Sequence, residues 1–74
     1  MNYKQAIALR DELTADGYYT LVYVDRCSQH GLSGFETIAV KTEPRFDVRA
    51  GREVQKIVDE VHHINYDRTG ALVI

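Results

Sequence analysis

The chain has one cysteine, one proline and no tryptophan among its 74 residues, and neither sign of charge dominates, with nine Lys and Arg against eleven Asp and Glu. A lone Cys27 cannot close an internal disulfide, which fits a reducing compartment. No apolar run approaches the roughly 18–20 residues of a membrane span, and Met1-Asn2-Tyr3-Lys4 lacks the apolar stretch of a secretion signal. The expectation is a cytoplasmic protein without membrane contact. A formal charge of −2 argues against bulk attraction to nucleic acid. Repeats, low-complexity tracts and Pro/Gly/Ser linkers are also missing, so residues 1–74 read as a single domain. A chain this short buries only about 60% of its surface on folding, which makes the core thin and gives burial against a partner unusual value.

Residues 3–15 place Tyr3, Ala6, Ile7, Leu9 and Leu13 on one arc of a helix, and Asp16-Gly17 supplies the residue that closes it in a left-handed conformation. Tyr18 to Arg26 is dense in aromatic and β-branched residues and reads as a strand. Cys27 to Gly34 reads as a loop, Phe35 to Thr42 as a second strand, and Pro44 falls past that strand's end. Asp47 is a candidate N-cap, after which Ala50, Val54, Ile57, Val58 and Val61 recur at helical spacing through about His63. Asn65 to Gly70 reads as a turn, and Ala71-Leu72-Val73-Ile74 as a buried last strand. The expected fold is an α+β two-layer sandwich in the order α-β-β-α-β. Its three-stranded, mainly antiparallel sheet, with strand order 2-1-3, would carry both helices on one face.

In that arrangement the second sheet face is uncovered. Strand alternation assigns Val22, Val24, Ile38 and Val40 to the helices and leaves Tyr19, Leu21, Tyr23, Phe35 and Ala39 on the open face. Such a patch suits a protein partner or a second copy, and Tyr19, Leu21, Tyr23 and Phe35, with His30 in the loop, are the candidate contact residues. A base-stacking platform is the sharper alternative, but no RNA-recognition signature accompanies it.

Arg45, Arg49, Arg52 and Lys56 would form a ridge on the second helix able to meet phosphates, the route to a nucleic-acid-binding accessory function. Glu53 and Glu60, four residues after Arg49 and Lys56, dilute it. Cys27, His30, His62 and His63 are the right types for zinc but lack two tight ligand pairs, and adjacent histidines on a helix diverge by about 100°. No metal or cofactor is expected. Cys27, Ser28 and Ser33 near His30 offer no rigid frame for a nucleophile, so no enzyme activity is expected either. Gly31-Leu32-Ser33-Gly34 has the spacing of a KH-type GxxG loop, yet it joins strands and carries no basic residue.

Val61-His62-His63-Ile64-Asn65-Tyr66-Asp67-Arg68-Thr69 resembles the first segment of HNH-family nucleases. In that family a His-His or Asp-His pair opens a ββα metal motif, and the resemblance would make His63 the general base that activates water. The family motif continues through an asparagine, a helix and a final metal-binding histidine, for which Gly70 to Ile74 leave no room. The expected function is a small non-catalytic binding protein that works through protein contacts and self-associates as a homodimer. A domain this small, with no further chemistry in its residues, is expected to be a phage or mobile-element modulator of a host factor.

Overall fold

The computed structural model describes residues 1–29 and 32–65. Its elements are α1 (Tyr3–Asp16), β1 (Leu21–Gln29), β2 (Leu32–Asp47) and β3 (Arg52–His63). Among the described residues this is an α+β unit of one helix and three antiparallel strands, in sheet order β1-β2-β3. The longest strand, β2, is therefore central, and the expected order 2-1-3 is replaced by a simple meander. The expected second helix is instead a tight turn followed by β3. The expected loop from Cys27 to Gly34 is mostly strand, with Cys27 opposite Gly34 and Gln29 opposite Leu32. His30, the end of the expected turn at 65–70 and the expected strand at 71–74 lie outside the described residues.

Helix α1 forms where local chemistry calls for it. The Asn2 side chain accepts from the Gln5 N–H at 2.8 Å, and the Gln5 side chain accepts from the Asn2 N–H at 3.0 Å, satisfying two donors left unpaired at the helix start. At the other end Gly17 adopts φ 74°, as the sequence suggests. Between these caps Ala6, Leu9 and Leu13 are buried, with Leu9 and Leu13 packing on Ala39 of β2 and Met1, Tyr19 and Val22 around them.

That contact fixes the phase of β2. Ala39 has 0% exposure and Thr37 is equally buried, its hydroxyl donating to the Ala6 carbonyl at 2.8 Å. Small residues under the helix let the two layers approach, whereas Ile38 and Val40 point to the far face. The cross-strand register confirms it, because directly opposed residues share a face: Val22 opposes Ala39, while Tyr23 opposes Ile38 and Leu21 opposes Val40. The assignment of Ile38 and Val40 to the helix layer, and of Ala39 to the open face, is thus reversed.

Two local devices extend β2. Met1 pairs with Phe35, whose N–H donates to the Met1 carbonyl at 2.9 Å, and the Met1 amino group donates to the Ile64 carbonyl at 2.8 Å. At the other end Thr20 stands in for a strand: its N–H donates to the Val40 carbonyl and its hydroxyl accepts from the Thr42 N–H at 2.9 Å. Alternation then turns the Pro44 nitrogen toward this same edge, beyond the end of β1, so its missing N–H costs no ladder bond. Pro44 accordingly lies inside β2, opposite Gln55.

Candidate functional site

Two regions of the described surface carry unusual side chains. The first lies on the far face, where Asp25 opposes Glu36 and Ile38 opposes His62. Glu36 is buried, and a buried carboxylate needs partners. His62 Nδ1 lies 2.6 Å from one of its oxygens, and His62 Nε2 lies 3.5 Å from Glu60. Hydrogen bonding to Glu36 is the main influence raising the His62 pKa, helped by the charges of Glu36 and Glu60 and opposed by burial. Beside them the Cys27 thiol is pushed up, first by burial and then by its hydrogen bond to Glu36 and that group's charge. A thiol held protonated is a poor nucleophile, so the cluster does not activate Cys27.

A pH dependence follows from the His62 pair. A raised folded-state pKa means that the stability it contributes is complete below the unfolded value near 6.5 and is lost as pH rises through the higher folded value. The expected result is an unfolding free energy that falls over that window in the wild type, with the fall removed in His62→Gln. An imidazole titration midpoint below 6.5, read by NMR, would contradict the assignment.

The second region is the hairpin of β2 and β3 past the end of β1. The last β1 pairing is Leu21 with Val40, Tyr18 and Thr20 still reach Lys41 and Thr42, and residues 43–47 continue for roughly 16 Å with only β3 beside them. No Cα of α1 comes within 8 Å of one in β3. This arm exposes Phe46 (68%), Val48 (85%), Ile57 (63%) and Val58 (44%).

Its tip is closed by Asp47, whose side chain accepts from the Arg49 and Ala50 N–H groups at 2.9 and 3.1 Å, while Gly51 adopts φ 65° and donates its N–H to the Asp47 carbonyl. The Ala50 hydrogen bond, then Lys56, lowers the Asp47 pKa.

The expected basic ridge is dispersed. Arg49 sits in the turn, whereas Arg45, Arg52 and Lys56 share one face of the arm with Glu43 and Asp47. Arg45 pairs with Glu43 at 2.7 Å and Lys56 with Asp47 at 3.3 Å, so the face alternates in sign.

The expected contact patch is split between faces. Leu21 and Tyr23 are exposed on the far face, flanking Val40 and Ile38. Phe35 is half-buried on the helix-bearing face, 5.1 Å from the Tyr3 ring centroid and 5.6 Å below the Arg26 guanidinium. Tyr19 packs against the Leu9 and Leu13 core.

The possible zinc set is divided as well, because His62 opposes Ile38 and His63 opposes Thr37, on opposite faces. No group of three or more metal-ligating side chains converges among the described residues. The HNH-like segment starts in β3, and its residues from Tyr66 on lie outside the described residues.

The chain matches no protein-family model, no curated protein and no solved structure. Among the described residues no helix is long and apolar enough to cross a membrane. The Glu36–His62 pair was invisible in the sequence because its members are 26 residues apart and meet only through the β2–β3 register. The exposed Ile57 and Val58 were hidden by the helix reading, which placed them on a buried stripe.

Proposed function

We propose that this chain is a small non-catalytic binding protein that acts through protein–protein contacts and self-associates. The observation that carries this reading is the arm, which holds four large apolar side chains in water beyond the reach of α1. An isolated two-stranded ribbon is marginal in water, so an arm with Phe46, Val48, Ile57 and Val58 exposed gains order when a partner covers it. Far-face residues Leu21 and Tyr23 add apolar surface on the same molecule. The alternating charges around Arg45 and Lys56 suit a protein surface of mixed sign better than a phosphate backbone.

Light scattering at roughly 100 μM should give twice the chain mass for the wild type. Ile57→Glu should return it to the chain mass without loss of secondary structure, because an exposed side chain is replaced. A wild type at the single-chain mass would refute self-association.

A further inference from the structure

We infer that the self-association surface is the outer edge of β3, and that the partner strand is β3 of a second copy running antiparallel about a two-fold axis between Ile57 and Val58. This rests on the reading of the chain as self-associating. Strand β3 ends the sheet order, so its outer edge carries no strand among the described residues, and an open edge is a ready template for pairing.

The register is set by an irregularity. Opposite β2, Asp59 pairs with Lys41 and Ile57 with Thr42, so Val58 is an extra residue, a β-bulge. In an unbroken strand, residues three apart point to opposite faces, yet Lys56 opposes Glu43 and Asp59 opposes Lys41, and both thus lie on the helix-bearing face. The shift makes the strand symmetric about its own centre. Arg52, Val54, Lys56, Asp59, Val61 and His63 lie on one face, and Glu53, Gln55, Ile57, Glu60 and His62 on the other.

A two-fold interface brings each residue against its mirror position, and here every pair whose members both oppose β2 shares a face, the bulged Val58 lying at the axis. Lys56 meets Asp59 of the second copy, and Asp59 meets its Lys56. Val54 meets Val61, Glu53 meets His62, and Ile57 meets Val58 at the axis. No like charges are opposed in this register. Shifting it by three residues, to centre on Lys56, would set the two Lys56 side chains together and would pair Glu53 with Asp59, which lie on opposite faces. The face match along the whole strand, together with the Lys56–Asp59 pairing, therefore selects a second copy in this register, and the product is a continuous six-stranded sheet.

The test is cross-linking in a Cys27→Ser background. Val54→Cys and Val61→Cys chains, each alone, should form little disulfide, because each new thiol would lie about 20 Å from its symmetry mate. Mixed, they should form a 54–61 cross-linked dimer. Independently of any effect on folding of those variants, Lys56→Glu should weaken the dimer by roughly tenfold, and adding Asp59→Lys to the same chain should restore it. A wild-type dimer without the 54–61 cross-link, or without rescue by the charge swap, would overturn the β3 edge and leave self-association standing. A wild type of single-chain mass would overturn both.

Discussion

Replacing Leu9 by alanine should lower the free energy of unfolding by about 2–5 kcal/mol, the range for removing a fully buried leucine. Leu9 is 1% exposed and packs with Leu13 on Ala39, the contact that joins the two layers. The described core consists of few residues, so little can relax into the cavity. For a domain of this size each kcal/mol moves the thermal midpoint by about 4–8 °C, and total stability is of the order of 5 kcal/mol. The variant should therefore be largely unfolded at 37 °C by circular dichroism. Leu21→Ala is the matched control: Leu21 is 55% exposed, and its loss should stay within about 0.5 kcal/mol. Equal losses for the two would show that α1 is not what holds the sheet.

The second large effect is expected at Gly34. A Cβ built there would lie 2.7 Å from the Met1 carbonyl oxygen, a backbone atom held in place by the Phe35 N–H. A flexible side chain could move aside, but this carbonyl is part of the ladder. Gly34→Val should thus cost about 1–3 kcal/mol through the forced shift, with loss of the Met1–Phe35 pairing. Chemical denaturation measures the first, and hydrogen exchange at the Phe35 amide the second. A stability unchanged from wild type, with the Phe35 amide still protected, would show that the close approach is not maintained in solution.

Both predictions concern features of unequal visibility in the sequence. The burial of Leu9 was legible, because its helical stripe ends in a closing glycine and the chain before it supplies a capping box, so both ends agree with the periodicity. The constraint on Gly34 was not, since it depends on Met1 arriving from 33 residues away. The capping role of Asn2 was available from its spacing to Gln5 but is a weak cue until the two side chains are seen to bond. The phase of β2 illustrates a different limit: alternation separates Thr37 and Ala39 from Ile38 and Val40, yet it does not say which set meets the helix. Close packing decided for the smaller pair.

What the sequence determined by itself is the first helix with its closing turn, the strand character of β1 and β2, and the scarcity of material to cover both faces of a sheet. What only the tertiary structure decided is the fate of residues 47–63. An aspartate accepting from the second and third N–H groups beyond it begins a helix or closes a hairpin with the same local geometry, and Asp47 does the latter. Val54, Ile57, Val58 and Val61 have helical spacing, but in the extended chain the extra residue at Val58 puts Val54 and Val61 on one face and Ile57 on the other, so the stripe is split. Pairing with β2 across a short turn, in a segment rich in β-branched residues, then settled the choice in favour of the strand.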